Sequence, residues 1–160
     1  MFFTYKREHH SRRRVYLSVN ITKEKKLSNT MLEEGKEILA QQSFSLLLGA
    51  ELEVFEVGVA ELSLAIRDDL KQNYGFAHGG VVSYLADNCI TFAGASVLGS
   101  CVTSEYKVNY VRPAIGDKLI AKSTVLYSGK RQATCECKVY AQSGDEEKLV
   151  AVSLGTITKV

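Results

Sequence analysis

The 160-residue sequence has no tryptophan, one proline and three histidines. Twelve glycines beside a single proline exclude a collagen-like repeat. No apolar run approaches the ~20 residues that cross a bilayer, so a membrane-spanning chain is not expected. The start MFFTYKREHHSRRR has no apolar core segment and does not read as a secretory signal. The four cysteines (Cys89, Cys101, Cys135, Cys137) form no CxxC pair and have no His-x-His companion, so no metal site is expected. They read as small buried hydrophobes in a reducing compartment, the cytoplasm, with Cys135 and Cys137 on one strand face.

What is present is an ordinary globular composition, 46% hydrophobic and 24% charged. A chain of this length buries roughly 68–70% of its unfolded surface, enough for one core. The net charge of +2 hides an asymmetry. Residues 1–26 carry eight basic and two acidic side chains, net +6, which leaves twelve basic and sixteen acidic, net −4. The remainder is mildly acidic, so nucleic acid is not an expected partner. The first stretch lacks hydrophobic periodicity and reads as a basic extension over residues 1–27, solvated by default; a transit peptide or a nucleic-acid arm is the compositional alternative. One domain is expected over residues 28–160.

Helical spacing begins near Ser28, with Met31, Leu32, Gly35, Ile38 and Leu39 on one face up to about Gln42, and Ser28 or Asn29 as the cap. Phe44–Leu48 reads as an apolar connector closed by Gly49. The period then becomes two: Leu52 and Val54, a break at Glu56–Gly58, then Leu62, Leu64 and Ile66. Asp68–Gly80 is a polar loop. Val81–Leu98 is apolar nearly all round, which marks a helix enclosed by other elements, and Gly99 stops it. Four alternating segments follow. The first places Val102, Ser104, Tyr106, Val108 and Tyr110 on one face; the last, Lys148–Thr158, is apolar on both faces. Short connections imply a largely antiparallel sheet wrapping one helix, an α+β arrangement.

The chemistry concentrates in Asn73-Tyr-Gly-Phe-Ala-His78-Gly79-Gly80 and in Asp87 within the enclosed helix. A carboxylate is costly to bury unpaired, and no Lys or Arg occurs between Gly79 and Cys101. Ser83 and Thr91, one turn either side, give Asp87 a narrow polar stripe. Two glycines at a helix start let a ligand reach bare amides, which together with the helix dipole form an oxyanion hole. The bland alternatives are a hydroxyl-satisfied structural Asp, a glycine hinge and a capping His. Gly79 and Asp87 lie eight residues apart, about 12 Å along a helix axis. One reacting carbonyl cannot touch both, so a shared site requires two antiparallel copies of the helix across a dimer two-fold.

The set Asn73, His78-Gly79-Gly80 and Asp87, with Val102–Ala114 and the turn Gly116-Asp117, resembles the hotdog-fold acyl-CoA thioesterases of the PaaI-like branch over roughly residues 44–158. The resemblance implies a sheet wrapped around a central helix, homodimers with a continuous sheet, often homotetramers, and hydrolysis of an acyl- or aryl-coenzyme A. Coenzyme A is then part of the substrate, and no separate cofactor is implied. Carried over, Asp87 is the carboxylate, acting as nucleophile or as base on water, and the Gly79 N–H polarises the carbonyl. Asn73 holds the thioester or the water, and Thr103 positions the water. Asn73 and Gly79 come from one subunit, Asp87 and Thr103 from the other, with His78 a further catalytic candidate. Gly80, Ser83, Arg112, Lys130 and Arg131 are candidate substrate contacts, the cations for coenzyme A phosphates. Tyr74, Phe76, Tyr84 and Phe92 suit either an acyl pocket or the core. A non-catalytic acyl-CoA sensor and a His-dependent dehydratase are the competing readings on the same fold.

Overall fold

A computed structural model describes residues 29–160 of the chain. The basic extension at 1–27 and the candidate cap Ser28 lie outside the described residues. Helix α1 is described over residues 29–39. Helix α2 follows at Ser43–Leu48, then β1 (Glu51–Glu56), β2 (Val59–Ala65), a 3-10 turn (Asp68–Leu70) and helix α3 (Gly79–Leu98). The chain closes with β3 (Cys101–Tyr110), β4 (Lys118–Ser128), β5 (Gln132–Ser143) and β6 (Glu146–Lys159).

The strands form one six-stranded sheet in the order β1-β2-β4-β5-β6-β3. Every neighbouring pair is antiparallel. Helix α3 packs against all six strands. Leu85, Ala86, Cys89, Ile90 and Ala93 on it are fully buried. That explains a periphery apolar on most sides: the sheet curls around the helix, and the expected α+β arrangement is the one observed. By length and composition α3, with a mean hydropathy of 1.4 over its most apolar window, would suffice to cross a bilayer. Apolar runs near that length are therefore not lacking; this one is enclosed by the sheet.

Close approach of helix and sheet depends on two glycines. A Cβ on Gly94 would lie 2.7 Å from the Ile157 side chain, and one on Gly155 would lie 2.6 Å from Ile90. Gly155 and Ile157 are alternate residues of β6, so these contacts fix the lengthwise position of α3 on that strand. Cys135 and Cys137 both point into this core, as the alternation indicated.

Several local expectations are corrected. The apolar connector at Phe44–Leu48 is a helical turn; Ser45 is buried, and Gly49 closes the turn in a left-handed conformation. Helix α3 begins at Gly79, two residues before its apolar run, because His78 caps it. The single face expected for β3 is split by a bulge between Thr103 and Glu105. Cys101 and Thr103 are half-buried before it, Tyr106 and Val108 after it. An extra residue in one strand inverts the alternation beyond it. On β6, Leu154 is 49% exposed, so only the face toward α3 is closed.

Alanine normally stabilises a helix interior over glycine by about 1 kcal/mol. At Gly94 the sign should reverse, since Ile157 occupies the space. Urea unfolding should show Gly94→Ala less stable than the parent, with partial recovery in Gly94→Ala/Ile157→Val.

Candidate active site

The segment before α3 is held at both ends. Arg67 donates to the carbonyls of Leu48 (2.8 Å) and Leu47 (3.1 Å) and ion-pairs with Asp69 at 3.1 Å. Residues 71–77 form a tight hairpin closed by a bridge between Lys71 and Ala77. Within it Gln72 N–H donates to Phe76 at 2.9 Å, and Gly75 N–H donates to Gln72 at 2.9 Å. Gly75 takes φ of 83°, the left-handed conformation open to glycine. Ala77 N–H donates to Ala114 (3.1 Å) and His78 N–H to Leu70 (2.8 Å), which delivers His78 to the helix start.

His78 then caps α3. Its Nδ1 accepts the Gly80 N–H at 2.9 Å. Its carbonyl accepts from Val81 at 3.0 Å and from Val82 at 3.3 Å. Of the first four amides of the helix, three are thereby engaged. The fourth, Gly79 N–H, has no acceptor among the described residues. It stands at the positive end of the helix dipole.

Gly79 borders a cavity of about 470 Å³, lined also by Gln72, Phe76, Val82, Tyr110 and Arg112. Tyr110 O–H donates to the Gly79 carbonyl at 2.9 Å, tying the helix start to the end of β3. Arg112, also on the cavity wall, donates from its guanidinium to the Leu149 carbonyl at 3.0 Å. A hollow of about 350 Å³ lies on the other flank of the helix start, lined by Phe44, Leu48, Leu70, His78, Gly80 and Val81.

Asp87 sits two turns further on, and its Oδ1 is buried without a hydrogen-bond partner. The expected hydroxyl stripe is present, but its hydroxyls are engaged elsewhere. Ser83 bonds to the Tyr106 hydroxyl. Thr91 donates to the Asp87 backbone carbonyl at 2.8 Å, so Thr103, 2.8 Å from Thr91 Oγ1, is the donor to Thr91. Gly79, Ser83 and Thr91 are thus joined to Tyr110, Tyr106 and Thr103, all on β3. Helix α3 turns its polar stripe toward β3, a strand at the end of the sheet.

The candidates therefore fall into separate groups. Gly79, Arg112 and the Tyr110 ring share a cavity, while Asp87 and Thr103 lie along the polar stripe. Seven residues of strand, about 23 Å, separate Thr103 from Tyr110. Asn73 is exposed on the hairpin and does not line the cavity beside Gly79. Lys130 and Arg131 are exposed in the β4–β5 turn, where Arg131 O accepts from Lys159, whose strand partner is Cys101. They thus stand at the Cys101 end of β3, opposite to Arg112. Tyr84 and Phe92 belong to the core; Tyr84 meets Phe44 edge-on at 5.2 Å, and Phe92 meets Phe55 at 5.5 Å. Tyr110 and Gln72 were missed by the sequence reading. Tyr110 contacts a residue 31 positions away, which no local pattern encodes.

Burial pushes the Cys89 thiol well up, and burial likewise takes Cys135 to about 11, so both are protonated at neutral pH. Among the described residues no group of three or more His, Cys, Asp or Glu side chains could hold a metal ion.

A family model described as the thioesterase superfamily matches residues 74–148, which hold the Gly79 amide, Asp87, Thr103 and Arg112. The chain belongs to the thioesterase superfamily. Within it, a thioesterase family protein from Silicibacter pomeroyi is 28% identical, with a TM-score of 0.74 over 76% of this chain and 92% of that one. A mutant form of the phenylacetic acid degradation protein PaaI from Thermus thermophilus is 28% identical, with a TM-score of 0.66 over 73% of this chain and 98% of that one. The Escherichia coli PaaI protein, at 21% identity, shares the fold with a TM-score of 0.76 over 84% of this chain and 96% of that one. The chain is a hotdog-fold, PaaI-like thioesterase and hence a thioester hydrolase.

The cap geometry separates two neighbouring residues. His78→Ala should lower unfolding free energy by about 1 kcal/mol through loss of the cap. Gly79→Pro should be nearly neutral in the same urea titration. Proline suits the first helical position, the lost N–H has no partner among the described residues, and His78 already holds the extended φ −62°, ψ 138° that precedes proline readily.

Proposed function

We propose that this thioesterase hydrolyses the thioester of an acyl- or aryl-coenzyme A at two sites per homodimer, each built from both protomers. The observation that carries the reading is the unclaimed Gly79 N–H at the mouth of a cavity, on the helix that also bears a buried, unpartnered carboxylate oxygen. Such an amide is a ready donor to the oxygen of a thioester carbonyl as charge develops there. Asp87 supplies the attack, either directly or by taking a proton from water. On the water route, Asp87 takes one proton as the water oxygen bonds to the carbonyl carbon, the C–S bond breaks, and that proton passes to the departing thiolate. On the direct route, the C–S bond breaks as an anhydride with Asp87 forms. Water then splits the anhydride into the free acid and the Asp87 carboxylate, its second proton going to the thiolate.

The two groups meet if β3 of one protomer pairs antiparallel with β3 of its partner about an axis near Tyr106. Tyr110 and the Gly79 amide of one chain then face the Thr103 end of the other, with Asp87 behind it. The same operation carries Lys130 and Arg131 of one chain toward Arg112 of the other, gathering three cations for the phosphates of one coenzyme A. Exposed Phe44, Leu46 and Leu47 on α2 favour further pairing of dimers to a homotetramer. Three buried, unbridged cysteines fit a reducing compartment, the cytoplasm.

Asp87→Asn should lower kcat roughly 10²–10⁴-fold in a thiol-release assay over acyl- and aryl-CoA substrates. Its urea midpoint should stay near the parental one, since the carboxamide keeps the shape of the side chain. Near-parental turnover would remove Asp87 from the chemistry.

Site sharing has its own test. Gly79→Pro and Asp87→Asn homodimers should both be nearly inactive. Refolded together in equal amounts, half the dimers are mixed and each mixed dimer holds one intact site, so about a quarter of parental activity should return. No recovery, with mixed dimers shown by mass spectrometry, would place the site within one chain.

A further inference from the structure

Resting on the thioesterase reading above, we infer that Ser153 is the positioning residue for Asp87, its hydroxyl donating to the buried carboxylate oxygen Oδ1. Among the described residues, two buried side-chain oxygens lack a hydrogen-bond partner: Asp87 Oδ1 and Ser153 Oγ. A carboxylate oxygen accepts and a hydroxyl donates, so each supplies what the other lacks. Buried polar groups are ordinarily partnered, and two complementary exceptions in one core point to each other.

The register of α3 on the sheet brings them together. Residues 153, 155 and 157 of β6 are buried on the face toward the helix, and Ser153 is 6% exposed. Gly155 lies against Ile90, and Ile157 against Gly94. Two residues of strand, about 6.7 Å, therefore match four of helix, about 6 Å. The next inward residue, Ser153, comes level with about residue 86. Helical side chains lean toward the N-terminus, so the Asp87 carboxylate reaches back to that level. The angle agrees. Cys89 lies against Cys137 on β5, Ile90 against Gly155 on β6, and Thr91 bonds to Thr103 on β3. Successive residues turn by about 100°, so α3 faces β5, β6 and β3 in that order. Asp87 falls about 60° from Ile90 toward Thr91, over the seam between β6 and β3. Ser153 lines that seam, paired with Val108 on β3 and with Cys137 on β5.

The other hydroxyls beside Asp87 are engaged: Ser83 with Tyr106, and Thr91 with the Asp87 backbone carbonyl and Thr103. Ser153 is the one left over. The bond is not closed in the structure as it stands. A serine hydroxyl moves among three staggered positions about one torsion, and that movement is the adjustment we assign to it. A donor on Oδ1 fixes the plane of the carboxylate and leaves its other oxygen for the thioester or the water.

Two readouts separate positioning from packing. A carboxylate left to swing loses geometry of attack rather than affinity. Ser153→Ala should therefore lower kcat about 10- to 100-fold with KM within about threefold of parent. Cys137→Ala is the control. It trims a buried side chain of similar size in the same row, on the side that meets Cys89, and should leave kcat within about threefold. The second readout needs no substrate. Ser153→Ala should lower the urea midpoint of the parent, where the hydroxyl meets a carboxylate. In an Asp87→Ala background it should leave the midpoint unchanged, because the acceptor is gone.

The experiment measures kcat and KM for thiol release with parent, Ser153→Ala and Cys137→Ala, and urea midpoints for parent, Ser153→Ala, Asp87→Ala and the double variant. The inference holds if kcat falls at least about fivefold further in Ser153→Ala than in Cys137→Ala, and if the midpoint shift at least halves in the Asp87→Ala background. It is overturned if either comparison fails. Should Ser153→Ala not fold, Ser153→Cys takes its place, being close in size and a weak donor. Should Asp87→Ala not fold, the kinetic comparison decides alone. A parent that releases no thiol from any thioester sinks the thioesterase reading, and the urea comparison then still decides whether Ser153 holds Asp87.

Discussion

The enclosure of α3 by the sheet governs the rest of the molecule. A helix with Leu85, Ala86, Cys89, Ile90 and Ala93 fully buried is stable only where strands cover it on several sides. Glycines at 94 and 155 bring it against β6 with no room for a methyl group on either. Once that contact is made, the polar stripe of the helix has one outlet, toward β3. Ser83 and Thr91 are satisfied there by hydroxyls of Tyr106 and Thr103. Asp87, between them, is left with an unpartnered oxygen. An oxygen that the fold leaves without a partner is free to meet a ligand.

The helix start follows an opposite economy. Caps normally spread over several orphan amides. Here His78 alone engages three, through one ring nitrogen and one carbonyl, and leaves Gly79 unengaged. Tyr110 secures the carbonyl side of the same residue. The amide is thus held in place by its neighbours while remaining open itself, and it needs little reorganisation when charge develops before it.

Much of this was legible in the residues. The switch from helical to alternating period, the apolar helix and the antiparallel order all followed from spacing, and the residues alone singled out the glycines at the helix start and the lone carboxylate within it as candidates. The misread parts depend on contacts between distant residues. The β3 bulge inverts an alternation that the sequence carries unbroken, because bulging answers to the partner strand β6. The 43–48 turn is helical because Ser45 and Gln42 join the Asn88 side chain on α3, 46 positions beyond Gln42.

The glycine contacts at 94 and 155 also limit how this chain can change in length. Helix and strand are keyed together near Ile90 and Ile157, so α3 has no freedom to slide or screw along β6. Adding one residue between Gly79 and Asp87 would then rotate and lift everything before the key by about 100° and 1.5 Å. The capped amide would swing off Tyr110 while the carboxylate stayed put. Insertions and deletions are consequently confined to the turns between strands, and the eight-residue interval from Gly79 to Asp87 behaves as a ruler cut into the fold.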